Sequence, residues 1–352
     1  MAADQGTPPR EARRGFLTGG TWCADHNKLV EAWPAEDVVV EILGSSVDGG
    51  GSGCNFAVDI RRLDPGMPVG TIGVVGDDAD GAVLTATADA AGIERSGLQV
   101  LPGVRTNFTD AYSIRSTGRR VHLFQAGSSE HLSPDHFDFS RHSARIFHLG
   151  LPGIHRIMDS PWRGEANGWV AVLKAARAAG LHTNMELLQI DPGRLRALTE
   201  PCLAHLDTLV INDYEVGAIT GRRTTGGGKT DVAACLEAGA AIMAGSSIGV
   251  LAIHFPAGAL AFDRSGAVLR CPSVAVPSEA VQGANGAGDA FAAGFMYATH
   301  EDRPILDRLR LAHAAAAASL RSVGTTDSVA PWADCLALAE GWGWRDGAGL
   351  SG

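Results

Sequence analysis

Two hydrophobic rhythms alternate along this chain: short β-branched runs, and longer stretches in which apolar residues recur three and four apart. The first rhythm predicts strands at 37–43, 71–75, 146–149, 182–188, 209–211, 249–254 and 259–263. Residues 15–20 read as a further buried strand ending in a glycine turn, with a loop over 21–26 that contains Asp25. The second rhythm predicts helices at 56–63, 82–91, 165–179, 230–238, 306–320 and 331–340, three of them stopped by Gly92, Gly180 and Gly239. The runs 109–113 and 121–124 flank a polar tip, Thr117-Gly118-Arg119-Arg120, and predict a hairpin. From about residue 140 the alternation of strand and helix predicts a parallel sheet covered on both faces. Strands before residue 125 interrupt that rhythm and predict a small sheet of their own.

Four polar or glycine-rich turns stand where predicted strands hand over to loops or helices. They are 19–25, 49–55, 212–215 and 283–289. In an open parallel sheet such turns share the rim beyond the C-terminal strand ends, where ligands bind. The last is the most informative, because Gly286-Ala287-Gly288-Asp289 opens an unbroken helical pattern over 290–299. Free N–H groups in a helix's first turn attract anions, and glycine lets a phosphate come close to the backbone. An acid among those donors repels phosphate, but it suits a base that takes a proton from an attacking hydroxyl. A glycine-rich cap on a core helix, with Asp289 as an N-terminal charge, is the competing reading.

Composition narrows the class. The chain has 352 residues, 45% hydrophobic and 19% charged, in keeping with a large globular core. A formal net charge of -10 argues against nucleic acid or an anionic membrane as the main partner. No apolar run approaches a membrane span, and the N-terminus lacks a signal-peptide core, so the cytoplasm is the default expectation. Six scattered cysteines without a C-x-x-C pair fit reduced, buried thiols.

Taken together, these motifs resemble the ribokinase-type (PfkB) family of carbohydrate kinases over about residues 15–340. Gly286-Ala287-Gly288-Asp289 followed by Ala290-Phe291-Ala292-Ala293-Gly294-Phe295 is similar to the family's C-terminal signature. Gly50-Gly51-Ser52-Gly53-Cys54-Asn55 resembles its N-terminal signature, Asn212 and Glu215 its N-x-x-E motif, and Asp25 the aspartate of its first substrate loop. The resemblance implies a ribokinase-like α/β three-layer sandwich with a central, mostly parallel sheet. It also implies a small β lid drawn from about 22–48 and 105–125, with 1–14 and 341–352 as tails. ATP would be the phosphoryl donor, with Mg²⁺ positioned through water by Glu215 and Asn212. Asp289 would be the general base, and the backbone of Gly286, Ala287 and Gly288 would hold the phosphoryl oxygens. Asp25, Gly50, Gly51 and Asn55 would hold the acceptor, with Gln125 and Gly127 as further acceptor contacts, while His254, Gly258 and Asn285 would join the nucleotide site. A sugar kinase is the first reading; a nucleoside kinase of the same fold and a catalytically silent sugar-binding or regulatory protein are the alternatives. Dimerisation through the lid edge is a further expectation. Gly283 and Ala284 replace the Asp-Thr that usually begins the C-terminal signature, which leaves monovalent-cation dependence open.

Overall fold

The protein is described by a computed structural model covering residues 13–350. Residues 1–12 of the expected polar tail lie outside that range. In chain order, β1 (Phe16–Gly20), β2 (Cys23–Val30) and β3 (Ile42–Gly50) lead into α1 (Ser52–Leu63), β4 (Val69–Gly76) and α2 (Ala79–Ala90). Then come β5 (Glu94–Leu101), β6 (Phe108–Ile114), β7 (Arg120–Gln125), β8 (Ile146–Gly150), α3 (Gly168–Ala178), β9 (His182–Met185) and α4 (Pro192–Thr199). β10 (Thr208–Asn212) and α5 (Asp213–Thr220) precede a tiny hairpin, β11 (Thr225–Gly226) with β12 (Lys229–Thr230), and α6 (Val232–Gly245). The chain finishes through β13 (Val250–Phe255), β14 (Gly258–Asp263), β15 (Val268–Pro272), α7 (Ala287–His300), α8 (Ile305–Ser319) and α9 (Trp332–Trp342).

Nine strands form the central sheet in the order β15-β14-β13-β10-β9-β8-β1-β4-β5. The pairs from β13 through to β5 are parallel, and β14 and β15 close one edge as an antiparallel meander. One core, with Phe56, Phe291, Phe295 and Ala315, packs α1, α2, α7, α8 and α9 on one face; the other, with Trp169, Leu195, Ile219 and Ile242, packs α3 to α6 on the opposite face. Three layers result, as the alternation of strand and helix implies. A separate sheet of β3-β2-β6-β7 forms the lid, with β2 and β6 parallel and both flanking pairs antiparallel.

Several expectations need correction. The strand expected at 37–43 begins instead at Ile42, where pairing with Val30 starts. Asp37 has φ 62, which turns the chain, and Val39 is 96% exposed with no sheet to cover it. Asp25 lies in strand β2 and not in a loop. Gly239 does not stop its helix, because α6 runs on to Gly245. Its role is close packing, since a Cβ there would sit 2.5 Å from the Phe262 ring. The segment 341–350, expected as tail, is part of the fold: α9 extends to Trp342, Trp344 bridges Val274, and Leu350 is buried. Strand β5 escaped the pattern because it is an edge strand with much of its length exposed, so it carries few apolar residues.

Candidate active site

The first turn of α7 lies between two cavities. Its N-cap, Gly286, has φ 73 and no side-chain cap, and a Cβ there would fall 2.2 Å from the Thr325 carbonyl oxygen. Only glycine fits this left-handed, crowded position. With no side-chain cap, the first-turn N–H groups remain available to a ligand. Ala287 and Gly288 line a cavity of about 460 Å³ together with Asn212, His254, Phe291 and Arg345. Asp289 lines the other cavity, of about 420 Å³, with Asp25, Gly51, Asn55 and Glu186. Gln189 borders both.

Within the second cavity the acid is tightly framed. Asn55 Nδ2 donates to Asp289 Oδ2 at 3.0 Å, and the Glu186 and Asp289 carboxyls share a hydrogen bond. Burial first, and then the charge of Glu186, push the Asp289 pKa well above the usual carboxylate range. Burial likewise raises Glu186 to about 7. The far side of Glu186 is fixed by His148. Asn184 Nδ2 donates to His148 Nδ1 at 2.9 Å, so Nε2–H donates to Glu186 Oε2, also at 2.9 Å. Burial holds this imidazole neutral, with its pKa pushed down to about 3, and Phe56 stacks on its face at 3.8 Å. Asp25 is raised to about 7 by burial and then by the nearby Asp289 and Asp48. Its carboxylate lies so close to Gly50 that a Cβ there would come within 2.2 Å of Oδ2. Gly51, at φ 83, makes the turn from β3 into α1, which brings Asn55 to the cavity.

The first cavity has a different chemistry. Asn212 and Glu215 form a reciprocal cap on α5: Glu215 N–H donates to Asn212 Oδ1 and Asn212 N–H to Glu215 Oε2, both at 2.9 Å. Burial raises Glu215 to about 7, and Asp289 is among the charges acting on it. His254 packs against Phe291 at 4.7 Å and is pushed down to about 4 by burial, which leaves it neutral. This arrangement offers an anion-seeking helix start beside Asn212 on one side, with Glu215 buried behind it, and on the other a proton acceptor among groups that can bind hydroxyls.

Of the residues singled out from sequence, Asp25, Gly51, Asn55 and Asp289 meet at one cavity, and Asn212, His254, Ala287 and Gly288 meet at the other. Seven do not line either cavity wall: Gly50 lies against Asp25, Glu215 is buried in the first turn of α5, Gly286 caps α7, and four others stand apart. Gln125 is exposed at the end of β7, and Gly127 turns the chain beneath Asn107. Gly258 packs against Cys271 and Leu350, and Asn285 stands in the loop before Gly286. Glu186, Gln189, His122 and Arg345 went unnoticed. Reading 182–188 as one strand hid Glu186 inside it, whereas β9 stops at Met185 and puts the acid on the C-terminal rim, where ligands gather.

Residues 20–333 match the pfkB family of carbohydrate kinases, and the chain belongs to that family. Its ribokinase-like fold is shared with Arabidopsis thaliana ribokinase, solved with ribose and ATP, at a TM-score of 0.73 and 22% identity, covering 93% of this chain and 99% of that one. A nucleoside kinase of Burkholderia thailandensis in complex with inosine superposes with a TM-score of 0.72 and 18% identity, covering 93% and 98%. Among curated relatives, the ATP-dependent ribose-1-phosphate kinase of Halopiger xanaduensis is 27% identical over 323 residues, which is 89% of this chain and 96% of the relative. The expected family and fold are thus the observed ones, and the enzyme class is that of the carbohydrate kinases.

Proposed function

We propose that the protein transfers the γ-phosphoryl group of ATP to a hydroxyl of a small sugar or sugar derivative, with Asp289 as the base. The observation that carries this reading is the first turn of α7, which presents Ala287 and Gly288 to one cavity and Asp289 to the other. Acceptor hydroxyls bind Asp25 and Asn55, and Gly51 lets the ring lie against the backbone. Asp289 takes the hydroxyl proton as the new O–P bond forms. The bond from the γ-phosphorus to its bridging oxygen breaks, and ADP leaves with that electron pair. The N–H groups of the first turn stabilise negative charge that grows on the phosphoryl oxygens. Closure of the lid over the acceptor keeps water from competing.

Glu215 and Asn212 would hold Mg²⁺ through its waters. The fit is one of donor chemistry: a buried carboxylate beside an amide suits a hard, well-hydrated cation. When bound, the ion offsets charge on the nucleotide phosphates. Gly283 brings no side-chain oxygen to a monovalent-cation site, and a Cβ there would meet the Ser322 carbonyl oxygen at 2.9 Å. A second copy would dock on the lid, where Val39 and Leu123 are exposed. No helix among the described residues is long and apolar enough to cross a membrane, and a cytoplasmic site of action suits an ATP-consuming reaction.

The test is an acceptor panel of pentoses, hexoses, sugar acids and nucleosides with ATP and Mg²⁺, following ADP and the phosphorylated acceptor together. Stoichiometric formation of both with at least one acceptor is expected. A folded preparation that phosphorylates none of them contradicts the reading.

A further inference from the structure

We propose that the acceptor is an uncharged ring polyol bearing an apolar or aromatic substituent, a ribonucleoside in chemical outline, and not a sugar phosphate. This rests on the kinase reading above and narrows it. The cavity around Asp289 combines two kinds of lining. Asp25, Asn55, Glu186 and Asp289 can accept hydrogen bonds from ring hydroxyls. Leu151, Ile154, Leu187, Leu188, Ile190 and the lid residue Phe124 contribute apolar surface to the same wall.

Charge disfavours a phosphorylated acceptor. Among the described residues lining this cavity there is no lysine or arginine, while three acids line it. A phosphate here would lose its water without meeting a cation, and would face carboxylates instead. Basic residues near the cavity are engaged elsewhere: in the adjoining cavity that shares Phe124 and Ile154, Arg156 is ion-paired with Glu130 and Arg194 with Asp159. Lys28 is ion-paired with Asp110, Arg105 lies over the Phe108 ring at 4.6 Å, and neither belongs to the cavity wall. His122 does line it, and partial burial and then the charge of Arg120 lower its pKa, which disfavours its cationic form.

The apolar wall argues for the substituent. A free pentose has hydroxyls around most of its ring, and those turned to leucine and isoleucine would lose water without a partner. A planar base gives the same wall a complementary surface, with Phe124 available for stacking. The volume of about 420 Å³ lies at the lower end of small-molecule pockets, room enough for a ring and one compact substituent.

The full-length chain is tested with ATP and Mg²⁺ against uridine, inosine, D-ribose, ribose 1-phosphate and ribose 5-phosphate. At least one nucleoside is expected to exceed ribose in kcat/KM by about tenfold, the scale of one apolar group in a pocket. Both phosphates are expected to fall at least about a hundredfold below it, as for a site with unpaired buried charge. Phe124→Ala should shrink the nucleoside-to-ribose ratio. A sugar phosphate as best acceptor, or ribose equal to both nucleosides, overturns the proposal. If none of the five is phosphorylated, the kinase reading is decided by the wider acceptor panel, and the present one by binding. With a saturating non-hydrolysable ATP analogue, a nucleoside and not a phosphate should raise the melting temperature, and Asp25→Asn should abolish the rise. A rise with the phosphates alone, or with no compound, counts against it.

Discussion

Asn55 Nδ2 donates to Asp289 Oδ2 at 3.0 Å, and this bond ties the first turn of α1 to the first turn of α7 across 234 residues of sequence. It holds the proposed base with a neutral donor that favours the ionised form, against the opposing influence of Glu186. Asn55→Ala should therefore raise the Asp289 pKa and move the acid limb of the kcat/KM profile to higher pH. The lost hydrogen bond to a charged group is worth about 1.5–3 kcal/mol. A pH–rate series checks it; an unmoved limb with normal folding argues that Asn55 does not act on the base.

Glu186→Gln should move the same limb in the opposite direction. Glu186 raises Asp289 both by its charge and by the hydrogen bond the two carboxyls share, so its neutral counterpart lets Asp289 ionise at lower pH. The acceptor KM should rise as well, since Glu186 lines the proposed acceptor cavity. Opposite shifts in two neighbouring variants would be hard to obtain from a purely structural effect.

Stability provides an independent check through Asp25. Its folded pKa of about 7 lies above the ordinary 3.8, so the folded form holds its proton more tightly than the unfolded chain does. That contribution is fully present below pH 3.8 and is lost as pH rises through about 7. Buried histidines oppose it: His148 and His313 are pushed down to about 3, and His155 and His254 to about 4, so they stabilise as pH rises. Comparing wild type with Asp25→Asn cancels the histidines. The variant's melting temperature, relative to wild type, should climb between pH 4 and 8, a window of the order set by this shift.

Gly286→Ala tests the left-handed cap. The substitution combines a positive φ with a Cβ 2.2 Å from the Thr325 carbonyl oxygen, a strain of about 1–3 kcal/mol. Both melting temperature and kcat should fall. An unchanged kcat would separate the cap from catalysis.

How much of this was legible beforehand follows from where the information lies. The glycine-rich turns before α1 and α7 and the Asn212–Glu215 cap announce themselves, because local backbone geometry demands those residues at those spacings. The alternating core was legible for the same reason. Glu186 and the His148–Asn184 pair that orients it were not, because their partners stand 38 and 36 residues away and only the sheet order brings them together. The lid strand β3 was misplaced because valines 38–40 look like a strand but are left exposed, while the true strand carries glycines and polar residues against Asp25. Arg345 escaped notice because the C-terminal segment has no periodicity, and bridges such as Trp344 to Val274 are visible only in three dimensions.

The most direct test of the central claim is Asp289→Asn, assayed for turnover and for acceptor binding on the same preparation. The amide keeps the shape and can still meet Asn55, but it cannot take a proton. Turnover should fall by about 10²–10⁴-fold, the usual contribution of a positioned base, with acceptor binding retained. Turnover within a few fold of wild type would contradict the assignment of Asp289 as the base.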